Sequence, residues 1–225
     1  MHRLTVLAVV LAALAFSQRA EAQMVGISKE KFAPHYRAQR TMAWCWASSA
    51  EMALSYQGIR IPQEAIVTRI KGFTMAARGS AYDIIRATNG IVYDQSRRAV
   101  VVSGQFVLGA PLPTVLYNHL RRGRPVILTY TVGGGGLWGG HSVVLLGIDY
   151  LRNGDALTVT RIYVADPYPY SQAVDANGRT TVREDPALRF RQYDLHQSPA
   201  GLEMRSEGRT VGTISGVLFV DGAEI

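Results

Sequence analysis

The spacing of hydrophobic residues changes period near the middle of the chain. Over residues 45–57, Trp46, Ala50, Ala53 and Leu54 fall at helical spacing, and Gly58 stands where a helix stops. This predicts a helix opening at Cys45. Its run Ala47-Ser48-Ser49-Ala50 is all small, which allows close packing against a neighbour. A second helix is predicted from Pro62, a good first-turn residue, to near Gly72. A third follows Ser80, which has capping-box-like spacing to Asp83, and ends near Asn89-Gly90. A fourth runs from about Pro113 to Arg122 and is closed by Gly123. Residues 23–40 carry no such period, contain Pro34 and read as extended or irregular. Beyond Arg124 the pattern turns β-branched and aromatic. Residues 126–132, 141–150, 158–165, 180–191 and 210–220 read as strands. Asn153-Gly154 and Asn177-Gly178 are hairpin signals. Helices followed by strands predict an α+β fold. The helical part covers about 40–124 and the β part about 125–225.

The first residues obey a different logic. His2 and Arg3 give a short positive start. Residues 4–16 are apolar except for Thr5, and Ala20-Glu21-Ala22 fits a small-x-small cleavage pattern. This is the layout of a secretory signal peptide over 1–22, and the apolar run is short for a spanning helix. The alternative is an uncleaved anchor. The remaining 23–225 has the length of one domain and no later stretch able to cross a bilayer. The expected location is therefore secreted or periplasmic.

Composition adds little. The formal net charge of the 225-residue chain is +7. The arginines are scattered and no basic tract is interleaved with aromatics, so nucleic acid is not an expected partner. The five histidines and one cysteine lack metal-ligand spacing, so neither a metal nor another cofactor is expected.

The lone cysteine changes the picture. Exported proteins use cysteines mostly in pairs. Cys45 is therefore buried filler, an intermolecular link or a reactive thiol. At a helix start, unpaired N–H groups and the helix dipole favour a thiolate. Taken alone, a buried cysteine between Trp44 and Trp46 is an equally good reading. Gln39, six residues upstream, tips the balance, because an amide at that offset can hold an oxyanion. The base is sought among His35, His119, His141 and His196. His119 reads as a solvated surface residue, and His35 and His196 sit in segments that look like loops. His141 follows Trp138-Gly139-Gly140 and opens an apolar strand. Asp166, at the end of a strand and before Pro167, is the expected partner of the imidazole. Its rival Asp149 lies eight residues beyond His141, roughly 26 Å away at strand rise. Trp138, in the loop that starts at Gly133, is a candidate for shielding the cleft.

The blocks Gln39-Arg-Thr-Met-Ala-Trp-Cys45-Trp-Ala-Ser-Ser, Gly139-Gly-His141-Ser-Val-Val and Val164-Ala-Asp166-Pro resemble the papain-like cysteine peptidases. The likeness is to the compact bacterial branch, similar to the C39-like and AvrRpt2-like (C70) peptidases. The resemblance implies a helical lobe carrying Cys45 and an antiparallel β lobe carrying His141 and Asp166. It implies a protein or peptide substrate and an acyl-thioester on Cys45, with Gln39 in the oxyanion hole. The chain departs from plant and animal papain-like enzymes in having Ala43-Trp44 before the Cys, Asp166 as third group, and little room for a pro-segment. Competing expectations are acyl transfer by the same triad, a cell-wall amidase of the NlpC/P60 type, and a non-catalytic binding module on this scaffold.

Overall fold

The computed structural model describes residues 22–132, 140–174 and 176–224. The elements are, in order, β1 (Gln23–Gly26), α1 (Lys29–Phe32), α2 (Cys45–Tyr56), α3 (Gln63–Lys71), α4 (Ala81–Ala87), β2 (Gly90–Tyr93) and β3 (Ala99–Leu108). They continue with α5 (Pro113–Arg121), β4 (Val126–Val132), β5 (Gly140–Asn153), β6 (Ala156–Ala165), β7 (Tyr170–Val174) and β8 (Thr180–Glu184). The chain closes with β9 (Phe190–Ser198), β10 (Gly201–Ser206) and β11 (Arg209–Glu224).

Six strands form a closed antiparallel barrel in the cyclic order β4, β5, β6, β9, β10, β11 and back to β4. The long β11 makes this possible. Its first part pairs with β10, its middle with β4, and its last part with β3. A register shift between Ile214 and Gly216 accompanies the changeover. The strand β1 extends β5, and β2 extends β3. Closure removes most of the unpaired edge a six-stranded sheet would expose.

The apolar run of β5 is legible in this frame. Val143 and Leu145 point into the barrel with Leu128, Val164 and Val217. Val144 and Leu146 point outward, against Met52 of α2 and Phe32 and Tyr36. A strand buried on both faces has no polar alternation. The helix α2 packs on β5, α3 and α4. Every residue from Trp46 to Ser55 is buried, each large apolar one contributing about 1.5–3 kcal/mol. Its small residues let it sit this deep.

Several expectations hold in detail. Pro62 stands just before the first residue of α3, and Gly72 ends it in the left-handed region at φ 89°. Ser80 and Asp83 form a reciprocal capping box on α4. Asn153 closes β5 and Gly154 turns into β6.

Other expectations are corrected. Residues 23–40 are not simply irregular: β1 pairs with β5, and α1 leads into a single 3-10 turn. The part of the chain read as helical contains β2 and β3, and β3 pairs with β11 from the far end of the sequence. The reading of 180–191 as one strand fails at Pro186, which has no N–H for a ladder. Asp185 instead caps a 3-10 turn there, accepting from Ala187 N–H at 3.0 Å. His119 is not a solvated residue. Its ring stands edge-on to Phe219 at 4.9 Å, and its Nε2 is buried without a hydrogen-bond partner. His196 lies on β9 rather than in a loop. Among the described residues no helix is long and apolar enough to cross a membrane. The signal-peptide residues up to 21, the Gly133 to Gly136 loop and Trp138 lie outside the described residues.

Candidate functional site

Cys45 is the first residue of α2 and is partly exposed. The residue before it, Trp44, makes no side-chain cap. No side-chain cap therefore competes for the N–H groups of the first turn, which carry the positive end of the helix dipole. The thiol sits among them, and the Trp46 N–H donates to it. Both flanking indoles are used as fasteners. Trp44 Nε1 donates to Met75 O at 2.8 Å and Trp46 Nε1 to Ala77 O at 3.2 Å. They strap the loop 72–79 against the start of the helix. Gly79 is required there, because a Cβ would lie 2.3 Å from the Trp46 ring.

His141 is the second residue of β5 and pairs with Tyr130 of β4. Tyr130 meets the imidazole edge-on at 5.6 Å. Asp166 follows β6 immediately, and β6 pairs with β5 alongside this end of the strand, Val144 facing Ala165. The sheet thus delivers both side chains to one end of adjacent strands. His141 Nε2 and Asp166 Oδ1 are 2.8 Å apart. That leaves Nδ1 for the thiol, whose charged form the ring favours.

Asp166 is 2% exposed, so its charge needs partners. Besides His141 it accepts from Tyr168 N–H at 2.8 Å, and Arg191 Nε lies 3.5 Å from its Oδ2. Arg191 also donates to Leu188 O and Tyr168 O, both at 3.0 Å. Tyr36 OH donates to Asp166 O at 2.8 Å. The rival Asp149 is engaged elsewhere, accepting from Tyr163 OH at 2.9 Å.

Electrostatics follow from these contacts. Burial works against charging Cys45. The His141 hydrogen bond and charge, with the Ser142 and Trp46 N–H groups, outweigh it and hold the thiol below its usual range. Burial likewise disfavours the imidazolium. The hydrogen bonds and charges of Asp166 and Cys45 outweigh that too and push His141 up to about 10. Each group thus favours the charged form of the other.

Gln39 is buried. Its backbone is held from both ends, with Gln39 N–H donating to Pro167 O at 2.7 Å and Tyr170 OH donating to Gln39 O at 3.1 Å. Its side-chain nitrogen donates to Thr41 O at 2.8 Å and retains a second N–H. Its side-chain oxygen is buried without a partner. Among the described residues no three His, Cys, Asp or Glu side chains converge to hold a metal ion.

The profile of the "Peptidase_C39 like family" matches residues 31–193, most of the chain. The chain belongs to this family. It is accordingly a papain-like cysteine peptidase of the C39-like kind, a hydrolase acting on protein or peptide. The matched stretch runs from α1 into β9 and contains Gln39, Cys45, His141 and Asp166. Three solved structures are similar at low identity. The peptidase domain of Streptococcus ComA, a bifunctional ABC transporter of a quorum-sensing pathway, is 12% identical, with 82% of this chain and 95% of that one covered at a TM-score of 0.41. A double glycine motif protease from an AMS/PCAT transporter, in complex with its leader peptide, is 13% identical over 91% of this chain and 94% of that one, at 0.39. UfSP from C. elegans is 11% identical over 93% of this chain at 0.44, and this chain spans only 36% of it. A comparison with curated proteins gives no match.

The structure therefore brings Cys45, His141 and Asp166 together, with the imidazole hydrogen-bonded to the carboxylate and acting on the thiol. Arg191, Tyr36, Tyr130 and the Ser142 and Tyr168 N–H groups around it had no signal in the sequence. Each is an ordinary residue whose role depends on which strands become neighbours.

Proposed function

We propose that this C39-like peptidase hydrolyses peptide or isopeptide bonds through an acyl-thioester on Cys45, with His141 as acid and base and Asp166 orienting the imidazole. The observation that carries the reading is the imidazole of His141 bonded to a buried carboxylate, Nε2 2.8 Å from Asp166 Oδ1, and favouring the charged form of the Cys45 thiol. In the resting pair the proton is on His141 and the charge on Cys45. The thiolate attacks the substrate carbonyl carbon, and the charge moves to the carbonyl oxygen. The Gln39 amide and the Cys45 backbone N–H are the donors proposed for that oxyanion. As the intermediate collapses, the C–N bond breaks and His141 hands its proton to the leaving amine. Neutral His141 then takes a proton from water, whose oxygen attacks the thioester carbon. The C–S bond breaks, a carboxylic acid leaves, and the ion pair is restored.

We further propose that the enzyme works outside the cytoplasm, in the periplasm or as a secreted protein. The basic start, apolar run and Ala20-Glu21-Ala22 site support this.

The test uses the full chain, a pool of fluorogenic peptides and acid-quenched mass spectrometry. Wild type is expected to cleave the pool and to carry a substrate acyl group on Cys45 that hydroxylamine removes. Cys45→Ala is expected to do neither. Cleavage that survives in Cys45→Ala sinks the mechanism.

A further inference from the structure

The residues beside Gln39 are held in a way that nothing in the catalytic scheme requires. In an extended chain the polar groups of successive residues point to opposite sides. Gln39 directs its N–H and C=O towards the turn after Asp166, to Pro167 O and Tyr170 OH. Ala38 C=O and Arg40 N–H face the other way, towards α3. There one side chain meets both. Gln63 Nε2 donates to Ala38 O at 3.0 Å, and Gln63 Oε1 accepts from Arg40 N–H at 3.1 Å. The amide of Gln63 takes the place that a neighbouring strand would occupy.

This grip is specific. Gln63 is the first residue of α3 and is 1% exposed. A buried amide that lost either partner would leave a polar group unpaired, so its orientation is set. Further contacts hold the segment along its length. Ser48 Oγ donates to Arg37 O at 2.9 Å, and the Arg40 side chain pairs with Glu64, next to Gln63. The segment is thus gripped by α2 and α3 on one side and by the Asp166 turn on the other.

We propose that Gln63 is a positioning residue for the oxyanion group. It fixes the backbone on either side of Gln39 so that the Gln39 amide is aimed before substrate arrives. The proposal rests on the reading of Gln39 as an oxyanion donor. Donors aimed in advance stabilise developing charge without reorganising. A loosened Gln39 would bind the intermediate less well yet leave the thiolate intact.

Two probes of Cys45 separate these effects. p-Nitrophenyl acetate acylates the thiolate through a tetrahedral oxyanion and releases p-nitrophenolate. Iodoacetamide alkylates it by displacing iodide, with no oxyanion. Gln63→Ala and Gln63→Leu are expected to slow acylation about 10-fold or more, with alkylation unchanged. Gln39→Ala is expected to slow acylation by ~10²–10³. Adding Gln63→Ala to it is expected to change nothing more, since the group that Gln63 aims is gone. Unchanged acylation in the Gln63 variants, equal loss with both probes, or a full extra loss in the double variant each overturns the proposal. Unchanged acylation in Gln39→Ala alone overturns the Gln39 reading itself. If the Gln63 variants do not fold, amide exchange in the unaltered protein decides: a slowly exchanging Arg40 N–H supports the clamp, and exchange at the rate of free chain overturns it.

Discussion

Two helices in this molecule begin by holding an anion, and they do it differently. At α4 the start is closed. Ser80 Oγ accepts from Asp83 N–H at 3.2 Å, and Asp83 Oδ2 accepts from Ser80 N–H at 2.7 Å and lies 2.9 Å from Lys71 Nζ. At α2 no side chain caps the helix, and the Trp46 N–H of its first turn favours the thiolate of Cys45 instead. Asp83 is a carboxylate, and its free form is already ionised at neutral pH. Burial opposes its charge, but the Ser80 N–H and Lys71 hold it below its usual range. A thiol starts from about 8.5 and must be brought down. Burial opposes that, and the largest of the causes that outweigh it is His141. The imidazolium of His141 makes up the difference. At α4 a lysine of α3 helps the helix start keep an anion that the free side chain already carries, whereas at α2 the β5–β6 strand pair, with its buried Asp166, supplies the imidazole beside the thiol.

The strongest way to break this comparison is to cut the strand pair's contribution. Asp166→Ala removes the hydrogen bond that keeps His141 protonated. The imidazolium weakens first, and the thiolate follows. The rate of Cys45 alkylation against pH is expected to move to higher pH, and peptide hydrolysis to fall by about 10²–10⁴. An unmoved alkylation curve would mean that the helix start lowers the thiol without the strand pair. A smaller effect comes from the other helix. Ser80→Ala opens the cap of α4 and is expected to cost about 1 kcal/mol of stability by urea unfolding, with Cys45 alkylation unchanged. The Asp83 part of that stability is fully present above its unfolded pKa of ~3.9 and fades as pH falls below it. The cost should therefore be largest near neutral pH. A Ser80→Ala protein with slowed alkylation would show that the two helix starts are not independent.

What could be read in advance divides along a similar line. Features fixed by local chemistry were legible. The Ser80–Asp83 box, the Gly72 stop, the Asn153-Gly154 turn and the helix opening at Cys45 each depend on a few adjacent residues. His141 and Asp166 were found because Cys45 called for a base and the base for a carboxylate. Features fixed by distant partners were not legible. Gly104 interrupts the pattern of β3, and that strand exists because β11 pairs with it from the far end of the sequence. His119 stands beside Arg121 and Arg122 in the sequence, yet the barrel's Phe219 covers it. Arg191 reaches Asp166 only because β9 is the neighbour of β6. Gln63 had no signal at all, since its partners lie in a segment with no periodic pattern.

The central claim is that His141 makes Cys45 a thiolate at neutral pH. It is tested most directly by the rate of iodoacetamide alkylation of Cys45 against pH, in wild type and in His141→Ala. The account predicts that the wild-type rate stays high well below the ordinary thiol midpoint near ~8.5. His141→Ala should shift the curve up to that midpoint or beyond, because burial then acts unopposed by the imidazolium. A wild-type curve with an ordinary thiol midpoint, or one that His141→Ala leaves in place, would contradict it.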